Sequence, residues 1–303
     1  MEEKIKLVVI AGPTGSGKSE LGVRIAEKIG GEIVNADSMQ IYRGMDIGTA
    51  KPAPDLRARV PHHLLDIVSP GMNFSASDFR QEAAAAIADI DRRGKKAIVV
   101  GGTGLYIRAL LEGLVDSPTG DPELRRRFAE VPGEELLARL SRVDPSTASR
   151  LHPHDRVRIV RALEVFSQTG RPISAFRSEH AFSGSYYQPL KLAIRVERQE
   201  LYRRVEKRVE RMMGAGLVEE VRALAAAGHG RELKSMRSIG YKEVSAHLAG
   251  EISLDQAVEL IKRDTRRYAK RQMTWFSREN DIYWLEYPES FATIHEHVIE
   301  FFG

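Results

Sequence analysis

Through the first third of the chain, apolar positions fall into short continuous runs separated by stretches with helical spacing. The runs predict strands at Lys6–Ile10, Gly31–Asn35, His63–Val68 and Lys96–Val100. One helix follows Gly17, and another spans Ser77–Arg93, with Ser77-Asp78 as its N-cap start and Gly94 as its stop. Strands that are apolar throughout and alternate with helices imply a parallel sheet covered on both faces. Near Asp116 the texture changes. The turn-rich segment Asp116–Pro122 opens an Arg-rich helical stretch to about Phe182, and Leu190–Val196 reads as a strand returning to the core. Helices follow at Gln199–Met213, Leu217–Ala227 and Leu254 to about Ser277. The expected architecture is therefore α/β, a P-loop NTPase-like core with helices on both faces. Residues 1–115 form its first part, 116–186 an all-helical insertion, and 187–303 a mostly helical second part.

The loop between the first strand and helix is Gly12-Pro13-Thr14-Gly15-Ser16-Gly17-Lys18-Ser19, a full match to G-x-x-x-x-G-K-[ST]. Glycines let successive N–H groups turn inward toward an anion. The following helix adds its positive end, and Lys18 adds a full charge. The motif identifies a polyphosphate ligand without saying which bond breaks.

Composition narrows the setting. The 303 residues are 42% hydrophobic and 29% charged, enough to build a sizeable core. There is no cysteine, which excludes disulfides, thiolate chemistry and Cys-based zinc sites. The N-terminus has no signal-peptide pattern and no apolar run approaches membrane-spanning length, so a cytoplasmic protein without a membrane partner is expected. Net charge is +4, a modest excess, but its distribution is uneven: basic residues gather in Arg156–Arg161, Lys191–Arg211 and Lys262–Arg278. Such runs read either as solvated helix faces or as an electrostatic footprint for nucleic acid.

Particular positions carry candidate chemistry. Asp37 directly follows the second strand, where a carboxylate can act as general base or magnesium ligand, or simply form a turn or N-cap. The Lys96–Val100 strand ends in Gly101-Gly102-Thr103-Gly104, where a phosphate-loop NTPase often carries an acidic magnesium ligand. Two glycines and a hydroxyl there suit an approaching anion, or a tight strand–helix turn. On the helix from Leu201 to Met213, Leu201, Tyr202, Val205, Val209, Met212 and Met213 share an apolar arc of about 120°, with Arg208 about 20° outside it. An arginine at that border either snorkels to solvent or offers a fixed fork to a phosphate. Arg158 and Arg161 lie three apart and share a helix face that can meet a phosphate backbone. The pairs His62-His63 and His152/His154 lack metal-ligand spacing and are expected to pack or hydrogen-bond. Arg237-Ser238-Ile239-Gly240-Tyr241-Lys242 mixes cations, an aromatic and glycine in a loop, a combination suited to RNA phosphates and exposed bases.

Taken together, these segments resemble the bacterial tRNA dimethylallyltransferases. The resemblance runs through Gly12–Ser19, Asp37–Pro52, Pro61–Asp66, Ser75–Phe79, Gly101–Tyr106, His152–Glu164, Leu201–Arg208, Gly240–Glu243 and Ala269–Phe276, nearly the whole chain in order. It implies transfer of a dimethylallyl group from dimethylallyl diphosphate to the exocyclic amine of the adenine 3′ of the anticodon. By the same resemblance, Asp37 is the general base, Thr103 and Arg208 hold the departing diphosphate, and Gly12–Ser19 bind it, with Ser19 facing Mg2+. The tRNA contacts implied are Asp37, Ser38, Met39, Gln40, Thr103, Arg125, Val157, Arg158, Ile159, Val160, Arg161, Arg237, Ser238, Ile239, Gly240, Tyr241 and Lys242. The target base is expected to be flipped from its stack, and the protein to act as a monomer with no obligate protein partner. Two rival readings are an adenylate isopentenyltransferase acting on a free nucleotide and a small-molecule kinase. The basic helical insertion disfavours the first, and the missing acid after Val100 disfavours the second.

Overall fold

The computed structural model describes residues 4–115, 117–180, 186–288 and 290–303. The chain divides into two compact units, one made of residues up to Leu111 and from Tyr186 onward, the other of Glu112–Ser185.

The larger unit is built on six strands: β1 (Ile5–Ala11), β2 (Gly31–Asn35), β3 (His62–His63), β4 (Lys96–Gly101), β5 (Tyr187–Ile194) and β6 (Ile282–Leu285). Their order is β3-β2-β4-β1-β5-β6, and every pairing is parallel. Alternation along β1 explains how one strand feeds two cores. Leu7, Val9 and Ala11 face a cluster with Phe79, Ala83, Ile87 and Ile90 of the helix Ala76–Arg92. Val8 and Ile10 face Leu21 and Ile25 of the helix Lys18–Ile29, with Ile294 and Val298 of the helix Phe291–Phe302. A third cluster joins Ile41, Tyr42 and Met45, just beyond β2, to Val209, Val221, Tyr241 and Ile261 from the C-terminal helices. That cluster anchors the long segment after Asp37 against the second part of the core.

Two expectations shift. The helix after β3 begins at Ala76 rather than Ser77, because Ser75 is the N-cap: its side chain accepts the Asp78 N–H while the Asp78 carboxylate accepts the Ser75 N–H. The strand expected at His63–Val68 contracts to His62–His63. Leu64 and Asp66 take φ of +63° and +57°, which interrupts an extended run, and Val68 keeps only an isolated bridge to Tyr42. The turn lets Asp66 meet Lys51 and Arg57. The edge strand β6 and the helix Phe291–Phe302 lie beyond the predicted elements, although Ile282-Tyr283-Trp284-Leu285 is an apolar run of strand length.

The smaller unit is helical. Leu136, Leu140, Ile159, Ala162 and Val165 form its core, drawn from the helices Gly133–Val143 and Arg156–Thr169.

Candidate functional site

Parallel α/β sheets place ligands beyond the carboxyl ends of their strands, where connections diverge. Here the segments following β1, β2 and β4 meet at that edge. After β1, the phosphate loop curls with Gly15 and Gly17 at φ of +83° and +94°, a region that favours glycine. The helix starting at Lys18 has Gly17 as its N-cap and no side-chain cap, so its positive end faces the loop's interior. Ser16 is fully buried, and its hydroxyl has no partner among the described residues. Lys18 reaches back across the loop, donating from Nζ to the Pro13 carbonyl at 3.3 Å. Burial lowers its pKa to about 8, with Asp37 acting against that shift and Arg208 adding to it.

After β2, Asp37 forms a turn: its Oδ1 accepts the Met39 N–H at 2.9 Å. The turn-forming role and proximity to two cations therefore coexist. The turn after β4 lies against it, with Ser38 N–H donating to Thr103 Oγ1 at 3.0 Å and Thr103 N–H donating to the Ala36 carbonyl at 3.2 Å. A Cβ on Gly101 would stand 2.1 Å from the Ala36 carbonyl oxygen, which accounts for glycine there. Arg208 arrives from the helix Arg198–Gly214, where Leu201, Val205 and Val209 are buried as the apolar arc requires. Burial pushes its guanidinium pKa down while the Asp37 charge raises it. Gln40 Nε2 and Arg208 Nη2 both donate to the Thr49 carbonyl, each at 3.2 Å.

Two cavities share this edge. One is lined by Lys18, Ser19, Asn35, Gln40 and His62. The other is lined by Ser38, Met39, Arg237, Lys242, Tyr268 and Arg271. Thr14, Asp37 and Arg208 line both. A polyphosphate in the first and an acceptor in the second would thus meet at a carboxylate and a guanidinium.

Around the second cavity, Arg237, Ser238, Ile239, Gly240 and Lys242 are lining residues, as a ligand contact requires. Tyr241 departs from that pattern. It starts the helix Tyr241–Leu248, is fully buried, and donates its hydroxyl to Glu220 Oε1 at 2.6 Å. Its ring is core and cannot stack on an exposed base in this conformation, a correction to the expected loop contact. Lys242 is paired with Asp264 at 3.0 Å and Glu243 at 3.3 Å. Tyr268, Arg271 and Gln272 escaped sequence reasoning, since nothing in the periodicity of the helix Leu254–Phe276 distinguishes them. Gln272 is buried between the phosphate loop and the Gly102 turn. Burial and the Asp37 charge push the Tyr268 hydroxyl pKa upward.

In the smaller unit the expected contacts separate into two kinds. Val157 is 83% exposed, and Arg158 extends outward with Asp155 at 3.4 Å. Ile159 is fully buried and Val160 packs against the same core, so the side chain of Ile159 is structural rather than surface-facing. Arg161 and Arg125 both grip the buried Glu164, at 2.8 Å and 2.9 Å, and Arg161 also donates to the Pro118 carbonyl. Arg161 is therefore not the uncommitted cation that its spacing from Arg158 implied, nor Arg125 the free contact that the resemblance implied. The histidine pairs behave as expected: His63 bonds Glu32 at 2.7 Å, His62 the Val60 carbonyl, and His152 and His154 pack with ring centroids 4.9 Å apart and planes tilted by 39°.

Among the described residues, no group of three or more His, Asp or Glu gathers to hold a metal. Ser19 nevertheless lines the cavity beside the phosphate loop. A single hard oxygen donor there suits Mg2+, which is ordinarily completed by substrate phosphates and water.

Residues 40–279 match the IPP transferase family. The chain is 76% identical over 300 residues to a tRNA dimethylallyltransferase of Citrifermentans bemidjiense, covering 99% of this chain and 98% of that one. Its fold superposes on a tRNA isopentenylpyrophosphate transferase of Bacillus halodurans with a TM-score of 0.74 at 36% identity, covering 98% and 97% of the two chains. It also superposes on a eukaryotic dimethylallyltransferase acting on tRNA with a TM-score of 0.80 at 31% identity, covering 93% and 74%. These features define a phosphate-loop α/β prenyltransferase fold. The chain belongs to the IPP transferase family.

Proposed function

We propose that this protein transfers a dimethylallyl group from dimethylallyl diphosphate to the exocyclic amine of the adenine 3′ of the anticodon in tRNA. The observation that carries the reading is the sharing of Thr14, Asp37 and Arg208 by two cavities, one beside the phosphate loop and one beside a basic segment. The donor's diphosphate occupies the first cavity, on Lys18 and the loop amides. The adenine enters the second, displaced from its stack, since its amine is inaccessible within one.

In the reaction the nitrogen lone pair attacks the allylic carbon, and a C–N bond forms. The carbon–oxygen bond breaks, and its electron pair leaves on diphosphate. Asp37 accepts the proton lost from the amine, a contribution of about 10²–10⁴-fold for general base catalysis. Arg208, Lys18 and the Thr103 hydroxyl oppose charge growing on the leaving oxygen in a desolvated site. When bound, Mg2+ supplies further neutralisation of diphosphate charge, and Ser19 is the residue that would hold it. Val157, Arg158, Arg237, Ser238, Ile239, Gly240 and Lys242 supply contacts to the tRNA, and the protein works as a cytoplasmic monomer with no obligate protein partner.

A transfer assay with radiolabelled donor tests this, comparing an anticodon stem-loop with AMP and ATP as acceptors. Label is expected on the stem-loop alone. Label on free nucleotide would favour an adenylate isopentenyltransferase, and phosphate transfer from ATP would favour a kinase.

A further inference from the structure

We infer that Gln272 is a positioning residue that sets the spacing between the phosphate loop and the Thr103 turn, aligning the leaving diphosphate with the attacking amine. The inference rests on the reaction proposed above. Gln272 lies on the helix Leu254–Phe276 and is 5% exposed. Both ends of its amide are used. Oε1 accepts the Thr14 N–H at 2.9 Å, and Nε2 donates to the Gly102 carbonyl at 2.9 Å. Thr14 belongs to the loop after β1, and Gly102 to the turn after the neighbouring strand β4. One side chain therefore ties together the two loops that bracket the reacting atoms.

The chemistry of the link is restrictive. It needs one acceptor and one donor on a single planar group, which an amide has and a carboxylate, thioether or ammonium lacks. The room for it is equally specific. A Cβ on Gly102 would stand 2.1 Å from Gln272 Nε2, so only glycine admits the amide there. What the link holds matters to the reaction. Thr14 lines both cavities, and Thr103, next to Gly102, is bonded to Ser38 beside Asp37.

The same bond removes the Thr14 N–H from the anion cradle, since it is already committed to Gln272. The Ser16 N–H is likewise committed, donating to the Pro13 carbonyl at 3.3 Å, so grip on the diphosphate falls to Lys18 and the loop amides from Gly17 onward. Loss of Gln272 should therefore spare donor affinity and impair alignment, and small misplacements of a reacting group cost on the order of 10²-fold in rate.

The test compares the full-length protein with Gln272→Met, Gly102→Ala and the double variant. Readouts are the single-turnover rate with saturating dimethylallyl diphosphate and anticodon stem-loop, the Kd for inorganic pyrophosphate, and amide exchange of the peptide containing Thr14. For Gln272→Met we expect a single-turnover rate about 10²-fold lower, a pyrophosphate Kd within about threefold, and faster exchange at Thr14. Gly102→Ala should reproduce the rate loss by displacing the amide, and the double variant should be no slower than the worse single one. An unchanged rate in a folded Gln272→Met protein overturns the role. So do multiplicative losses in the double variant, or rate and pyrophosphate affinity falling together with thermal stability. Absence of transfer by the unaltered protein overturns the reaction itself, whereas transfer with an unaffected variant overturns only the role of Gln272.

Discussion

Arg208 is held by Thr49: its Nη2 donates to the Thr49 carbonyl at 3.2 Å. One corner of the guanidinium is thus fixed by backbone, and the remaining donors are left for a ligand. A fork anchored at one end meets a diphosphate with little reorganisation, which is how fixed donors stabilise developing charge. Arg208→Lys keeps a cation and loses the fork. Single-turnover transfer is expected to fall about 10²–10³-fold with donor KM changed far less. Equal losses in both quantities would assign Arg208 to ground-state binding.

Asp37 offers a cleaner separation. Asparagine at this position retains an oxygen to accept the Met39 N–H, so the turn survives while the base is lost. Asp37→Asn should melt as the unaltered protein does and bind the anticodon stem-loop within about threefold. Its transfer rate should fall about 10²–10⁴-fold. A rate within tenfold of the original would remove Asp37 from the proton transfer.

The contrast between these residues and Gln272 shows what a chain discloses before folding. The phosphate loop, Asp37 and Thr103 each end a strand, so a parallel sheet brings them to one edge by topology alone. Arg208 was legible as a charge at the border of an apolar arc, because helical periodicity is local. Gln272 has no such signature: its partners lie 258 and 170 residues away, and only the tertiary fold pairs them. Arg161 misleads for the same reason. Its spacing from Arg158 advertises a shared cationic face, but the buried Glu164 that engages it, together with Arg125, comes from packing, which periodicity does not report. The contraction of β3 comes from the positive φ of Leu64 and Asp66, a turn that goes with the ion pairs of Asp66 to Lys51 and Arg57 and is again invisible to apolar periodicity.

Glu220 caps a loop that approaches the site. Its carboxylate accepts the N–H groups of Asp46, Ile47 and Gly48 at 2.9, 2.7 and 3.1 Å, together with the Tyr241 hydroxyl. Thr49 follows directly. Glu220→Ala leaves these donors without their acceptor, and the loss expected is about 2–3 kcal/mol in urea unfolding. Tyr241→Phe removes one of the four bonds, with an expected cost of about 1 kcal/mol. A smaller loss from Glu220→Ala than from Tyr241→Phe would contradict this account.

The smaller unit allows electrostatic and structural roles to be told apart. Arg158 is outward-facing, whereas Arg161 neutralises a carboxylate that is fully buried. Arg158→Ala should lower the slope of log K against log salt for stem-loop binding by about 1 and leave unfolding unchanged. Arg161→Ala should destabilise the protein by about 1–3 kcal/mol, because Glu164 loses a charged partner in a dry position. Unfolding curves and salt titrations of both variants check the pair, and identical behaviour would argue against the distinction.

Lys18 should trade stability for function. Burial lowers its ammonium pKa from 10.5 to about 8, so between those values the unfolded chain binds more protons than the folded one. Stability therefore rises as pH increases through that window. Below pH 8 the buried charge carries its full cost, roughly 3 kcal/mol for a shift of this size. Replacing the ammonium with an apolar group of similar length removes the cost. Lys18→Met is expected to unfold at a higher Tm than the unaltered protein at pH 7, with the gap narrowing between pH 8 and 10.5. The same variant should lose most pyrophosphate affinity. In the unaltered protein, donor KM should climb above pH 8 as the free enzyme's Lys18 discharges. Thermal melts of both proteins across that range decide the matter, and a Lys18→Met protein less stable at pH 7 would show that the charge is not what burial strains.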